Sequence, residues 1–302
     1  MENIKIPCAT GKLFDPIELS EKTESIVIRG NKRKYLRFGT TPDYGTGIAT
    51  GYAMGCNLRC VFCWANETRD NLDLAKDFYS PAEVFEKLSE IINRNPRIDK
   101  VRLSNGEPTI GREHLLELLD LVEGSKIKMF VVESNGILLG NDESYIDDLL
   151  KFKKVYIRVS LKAGTPQEFS RKAGAIPEAF MLPFQAIRKL HESKANYSVS
   201  AMSLDPRFMD PLERISLITR LGEIDPSIVL KMQEEVTYLL PVSQRLLERI
   251  GWETNYKNLP FFLRGIIKKY LQITYKPISS LSHHRISIKQ TLRNFKHLRH
   301  GI

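Results

Sequence analysis

Short runs of β-branched and large apolar residues alternate along this chain with stretches whose apolar positions recur every three or four residues. The runs at 47–54 (GIATGYAM), 100–104 (KVRLS), 126–133 (KIKMFVVE), 154–161 (KVYIRVSL), 197–204 (YSVSAMSL) and 227–232 (SIVLKM) predict six strands. Amphipathic helical patterns lie between them. Ser80-Pro81-Ala82-Glu83 opens the first. Serine caps, proline suits the first helical position, and Glu83 reaches back to complete a capping box. Val84, Phe85, Leu88, Ile91 and Ile92 then share a face. Leu115, Leu118, Leu119 and Val122 repeat that spacing, as do Tyr145, Ile146, Leu149 and Leu150, and then Phe180, Phe184 and Ile187. Asp210-Pro211-Leu212-Glu213 opens another helix, with Ile215, Ile218 and Leu221 expected inward.

Strands alternating with helices imply a parallel sheet joined by right-handed crossovers. Six units in succession point to an α/β fold of the partial (β/α)6, TIM-type barrel kind, with a doubly wound open sheet as the alternative. In either, ligands sit at the C-terminal ends of the strands. Residues 1–46 are expected to form an irregular N-terminal segment with one hairpin, and 47–232 the partial barrel. Residues 233–302 are expected to form a basic, mainly helical C-terminal extension. Within it, 233–252 read as helix, and Phe262, Leu263, Ile266, Ile267, Tyr270 and Leu271 fall on one stripe.

Composition alters this little. At 42% hydrophobic and 27% charged, the 302 residues read as a soluble globular chain, which excludes disorder, collagen and disulfide scaffolds. No apolar run approaches the ~20 residues of a transmembrane helix, and no signal peptide is visible, so the cytoplasm is the expected location. Charge does alter the picture. Glu253 is the last acidic residue, and ten positive charges follow it, which leaves −1 of the net +9 for the rest of the chain. A tail of that sign favours an anionic partner: RNA, an acidic protein or a membrane surface.

The chemistry concentrates in one place. Cys56, Cys60 and Cys63 follow the first strand with the spacing C-x3-C-x2-C, and Cys8 stands apart. Three thiolates can hold three irons of a four-iron, four-sulfur cube and leave the last iron open. A structural zinc site would need a fourth ligand, from Cys8 or a histidine.

With Phe62 before Cys63, the segment resembles the C-x3-C-x-aromatic-C motif of the radical S-adenosylmethionine (SAM) superfamily, in particular its activating-enzyme and MoaA-like core without auxiliary cluster domains. The resemblance covers about residues 47–232. It implies a partial (β/α)6 barrel, a [4Fe-4S] cluster on Cys56, Cys60 and Cys63, and SAM bound at the open iron. It also implies reductive cleavage of SAM to a 5′-deoxyadenosyl radical that takes hydrogen from a substrate, and an external electron donor such as ferredoxin or flavodoxin. Ser104-Asn105-Gly106-Glu107-Pro108 looks like the family's GGEP motif, with Asn105 in place of the first glycine, and this loop receives the SAM amino group in relatives. Ser134 and Asn135 are similar to a polar pair that contacts ribose or carboxylate, although Asn-Gly also makes a plain turn. Ser160 and Lys162 match a strand end that binds ribose and carboxylate, and Gln233 is a further candidate contact. Phe62 and Trp64 would shield the cluster. His114 and His191 read as structural or surface residues.

The substrate is left open by these motifs. An RNA-modifying enzyme gripping RNA with the basic tail is one reading. A protein-radical activase is another, since residues 162–166 (KAGTP) look like a segment of the pyruvate formate-lyase activating enzymes. Small-molecule or lipid chemistry is a third, and a non-catalytic iron–sulfur or zinc module that binds nucleic acid is the alternative outside enzymology.

Overall fold

A computed structural model describes residues 12–252 except 238, and the backbone of 286–287. The N-terminal part contains α1 (Pro16–Val27), β1 (Ile28–Arg29), β2 (Lys32–Thr41), β3 (Ile48–Ala53), α2 (Asn66–Asp70) and β4 (Phe78–Tyr79). Next come α3 (Pro81–Arg94), β5 (Lys100–Ser104), α4 (Arg112–Glu123), β6 (Met129–Ser134), α5 (Ile137–Asn141), α6 (Ser144–Leu149) and β7 (Val155–Leu161). The chain continues through α7 (Pro166–Ala173), α8 (Leu182–Glu192), β8 (Tyr197–Ala201), α9 (Pro211–Ile224), α10 (Pro226–Lys231), β9 (Gln233–Glu234), α11 (Pro241–Arg249) and β10 (Ile286–Ser287).

Many of these helices start alike. Asp15, Ser80, Thr165, Asp210 and Asp225 each accept a backbone N–H of the first turn, and a proline follows each one. The side-chain oxygen satisfies an N–H without a helical partner, and proline removes another. The capping box of Ser80 and Glu83 forms as expected.

The strands make one sheet in the order β1-β2-β3-β5-β6-β7-β8-β9-β10, with β4 on β2. The stretch β3-β5-β6-β7-β8-β9 is parallel throughout, the sheet of a partial TIM-type barrel. Side chains alternate across it. Val101, Leu103, Phe130, Val132, Ile157, Val159, Val199 and Ala201 share the buried core with Leu115, Leu118, Ile146, Ile187 and Leu217 of the helices. The opposite, inner face carries Thr50, Arg102, Glu133, Arg158, Ser160 and Ser200, in register as Thr50 opposite Arg102, Glu133 opposite Arg158, and Ser160 opposite Ser200. No helix among the described residues is long and apolar enough to cross a membrane.

The structure departs from the sequence expectations in four places. Residues 227–231 are helical, and the sixth parallel strand is Gln233–Glu234. Asp225 caps Ser227 and Pro226 sits at the helix start, while Ile228 is buried and Leu230 is 66% exposed. A short apolar run has no period long enough to separate strand from helix. Second, the described part of the N-terminal segment, residues 12–46, is not irregular. The expected hairpin is present, with Ile28 opposite Arg33, but α1 precedes it and β2 extends along β3 as an antiparallel strand. Third, Ile215 is 58% exposed. Glu213, Leu217 and Leu221 form the buried stripe of α9 instead, because Glu213 turns inward to meet Lys172. Fourth, among the described residues of 233–252 only Pro241–Arg249 is helix, and Gln233–Glu234 form a strand. His114 is buried and structural, one of the two roles expected of it. It lies 2.8 Å from the Tyr35 hydroxyl and 2.7 Å from Asn31 O, and burial lowers its pKa to about 4. The stripe at 262–271 and the histidines at 283, 284, 297 and 300 lie outside the described residues.

The Lys172–Glu213 pair is 1% and 3% exposed, and Glu213 also accepts Gly164 N at 2.8 Å. Removing one partner of such a pair leaves a buried charge. Glu213→Gln is expected to lower unfolding stability by about 3 kcal/mol, and Lys172→Met with Glu213→Leu to recover most of that loss. Urea midpoints check this, and a double variant no more stable than the single one contradicts it.

Candidate cluster and cofactor site

The first parallel strand ends at Ala53, and the chain turns at Gly55, which has φ +85°. A Cβ there would sit 2.5 Å from Thr23 Cγ2, so glycine is required both by conformation and by space. The loop that follows is largely buried and irregular, and its backbone groups need partners from elsewhere. Arg59 N donates to Ala173 O and Val61 N to Lys172 O, both at 2.9 Å, which ties the loop to the end of α7. The carbonyls of all three cysteines accept side-chain donors. Arg59 Nη1 reaches Cys56 O at 2.7 Å, Arg69 Nη1 reaches Cys60 O at 3.0 Å, and Asn66 Nδ2 and Ser243 Oγ reach Cys63 O at 2.9 and 3.2 Å.

The three thiols are free, with Cys60 buried and Cys56 and Cys63 half-buried. Burial first, then the Glu107 carboxylate, pushes the Cys56 thiol up to about 12. Burial also raises Cys60, and the charge of Lys162 opposes it. Metal loading must therefore displace protons. The Asn57 Nδ2 amide is buried with no partner, while Asn57 Oδ1 takes Asn135 Nδ2 at 2.6 Å and lies 3.9 Å from Cys56 Sγ. Three soft sulfur donors on one loop beside an orphaned N–H suit an anionic iron–sulfur unit. Phe62 is 7% exposed and meets Phe208 edge-on at 5.2 Å. Trp64 is 46% exposed and contributes less cover than expected.

The 104–108 loop lies directly against the cysteine loop. Asn105 has φ +75°, a left-handed conformation that asparagine tolerates and that explains its exchange with glycine. Its amide donates to Ala53 O at 3.0 Å and accepts Thr68 Oγ1 at 2.9 Å. A Cβ on Gly106 would sit 2.2 Å from Gly55 O. Glu107 N donates to that same carbonyl at 2.8 Å, and Pro108 continues the turn. The Glu107 carboxylate is 3% exposed and takes Thr109 N, Thr109 Oγ1 and Asn135 N. It ties the 104–108 loop to the turn at 134–136.

Ser134 and Asn135 are likewise buried. Ser134 Oγ accepts Gly136 N at 2.9 Å and Asn135 Oδ1 accepts Ile137 N at 3.0 Å, so both side chains build the turn. At the end of β7, Lys162 Nζ donates to Ser160 Oγ at 2.8 Å. Gln233 accepts Arg158 Nε at 3.3 Å. Cys8 lies outside the described residues.

Two groups escape the motif reading. Arg33 is fully buried and donates to Pro108 O (2.9 Å), Ile110 O (2.5 Å), Glu107 O (2.8 Å) and Met54 O (3.4 Å). In the sequence it stands between two lysines, and strand alternation places it on the side of Tyr35. The other is an ion network on the inner face. Arg102 pairs with Glu133 at 3.0 Å and Asp43 at 2.7 Å, and Arg158 pairs with Glu133 at 3.8 Å and with Glu235. An arginine in the middle of an apolar strand run was the available signal. Arg33→Lys, which cannot reach four carbonyls, is expected to lower stability by about 2 kcal/mol. An unchanged urea midpoint of the metal-free protein contradicts that.

Comparison with known proteins agrees with this geometry. Residues 52–215 match the family described as Radical SAM superfamily. The 7-carboxy-7-deazaguanine synthase of Hyperthermus butylicus is 28% identical over 198 residues, 62% of this chain and 81% of that protein. The GTP 3′,8-cyclase of Alkaliphilus oremlandii is 26% identical over 117 residues, 38% of this chain and 34% of that one. The structure of Streptococcus suis SuiB bound to its precursor peptide SuiA superposes with a TM-score of 0.53 at 17% identity, covering 75% of this chain and 46% of SuiB, a likeness of fold. The match spans two fifths or less of several curated relatives, the cyclase among them. With the cysteine spacing, the parallel sheet and a family match over more than half its length, the chain belongs to the radical SAM superfamily.

Proposed function

We propose that this chain is a radical SAM enzyme acting on a polar substrate. The observation that carries the reading is the pairing of two loops at the strand ends. Three free thiols stand on one, and the other, 104–108, is bonded to it through Glu107 N and Gly55 O. When bound, the [4Fe-4S] cluster supplies the electron that cleaves SAM to methionine and a 5′-deoxyadenosyl radical.

In this reading Cys56, Cys60 and Cys63 hold the cluster. The 104–106 backbone receives the SAM amino group, since the Glu107 side chain is already engaged. Lys162 binds the SAM carboxylate, and it has no carboxylate partner among the described residues. Ser160 orients Lys162 or meets the ribose. Phe62 excludes water, and Ser134 and Asn135 shape the turn beneath. An external one-electron donor of the ferredoxin or flavodoxin kind reduces the cluster. The substrate faces the inner side of the sheet, where Arg102, Glu133 and Arg158 supply charge and the Ser198 and Ser200 hydroxyls are buried without partners. A polar ligand suits that lining. The basic stretch after Glu253 suits an anionic partner such as RNA, an acidic protein or a membrane surface, and free thiols suit a reducing cytoplasm.

Anaerobic reconstitution with iron and sulfide, reduction, and assay of 5′-deoxyadenosine from SAM test the reading. Wild type is expected to form product, and Cys56→Ala, Cys60→Ala and Cys63→Ala to form none. Product from any of the three, or none from a cluster-loaded wild type, contradicts it. Lys162→Met is expected to keep its iron and weaken SAM binding about tenfold, roughly 1.4 kcal/mol. Unchanged SAM affinity removes Lys162 from the site.

A further inference from the structure

The donors that hold the Cys56 and Cys60 carbonyls carry charge. Arg59 and Arg69 are each 1% exposed. Both turn to a single carboxylate. Arg59 Nε lies 3.1 Å from Asp70 Oδ1, while Arg69 Nε lies 2.8 Å from the same oxygen and Arg69 Nη2 lies 2.5 Å from Oδ2. The Asp70 side chain is itself 19% exposed. Two buried cations on one partly solvated anion leave surplus positive charge against the loop that bears the three thiols.

Holding carbonyls does not call for that surplus. Asn66 and Ser243 hold Cys63 O with neutral groups. A buried charge without compensation is costly unless something opposite offsets it. Three thiolates around an iron–sulfur cube are anionic, and reduction makes the unit more negative still. Net charge and hydrogen bonding near a cluster are what set its potential.

We propose that Arg59 and Arg69, balanced by Asp70, are positioning residues whose surplus positive charge raises the reduction potential of the cluster held by Cys56, Cys60 and Cys63. The proposal rests on the cluster reading above. At an effective dielectric of about 20, one unit of charge about 12 Å away shifts the reduction equilibrium about tenfold, or about 59 mV for one electron.

The test is a redox titration of the reconstituted, SAM-free protein followed by the electron paramagnetic resonance signal of the reduced cluster, with iron content measured in each variant. Arg69→Gln removes a positive charge and is expected to lower the potential by about that amount. Asp70→Asn removes the negative charge and is expected to raise it. The double variant is expected to return close to wild type, and Arg69→Lys to stay close to it. A structural role alone would cut cluster content without this ordering of signs. Should Arg69→Gln fail to assemble a cluster, the upward shift of Asp70→Asn decides the matter, and a downward or null shift there overturns the proposal. A wild-type cluster whose potential ignores these substitutions overturns this proposal alone. A wild type that takes up no cluster overturns the cluster reading and this proposal with it.

Discussion

A buried loop without secondary structure leaves carbonyl groups that must find donors, and in this chain arginine supplies them. Arg33 serves four carbonyls across two loops, Arg59 serves Cys56 and Leu58, and Arg69 serves Cys60. The guanidinium suits the task because five N–H donors spread in a fixed plane can meet carbonyls that diverge. The arrangement makes β2 part of the site. That strand precedes the parallel sheet and lies outside the residues matched to the family, yet its Arg33 joins the end of β3 to the loop after β5.

The same sheet serves two ends at once. Its outer face is apolar and packs the helices, which contributes most of the burial. Its inner face is charged, with Arg102, Glu133 and Arg158 bonded to one another and to Asp43, Gln233 and Glu235. Ion pairs of this kind stabilise little by themselves, because desolvation offsets the attraction. They keep the inner face polar and fixed in shape, which an enzyme that must admit a ligand needs and an apolar core would not provide.

The cysteine spacing made the site legible because three ligands on one loop leave a local signature. The parallel sheet was legible for a similar reason, as each buried strand reads as a compact apolar run between amphipathic helices. What stayed hidden depends on contacts between distant residues. Glu213 and Lys172 turn α9 so that Ile215 faces solvent, and no period within α9 announces a partner 41 residues away. Residues 227–231 become helix through the cap at Asp225. Glu107 reads as a ligand for an ammonium group, and its bonds to Thr109 and Asn135, which tie two loops together, could not be read from the motif. Arg33 sits in a basic run, and the carbonyls it serves lie 21 or more residues away in the sequence.

These observations converge on a site whose loops are held in place by the polypeptide's own hydrogen bonds. Amide hydrogen exchange on the metal-free protein measures this most directly. The N–H groups of Arg59, Val61, Glu107 and Asn135 are bonded to Ala173 O, Lys172 O, Gly55 O and the Glu107 carboxylate. The account predicts that these four amides are protected to the level of the adjoining strands, with little change after reconstitution. Rapid exchange at all four that slows only when iron and sulfide are added would contradict it.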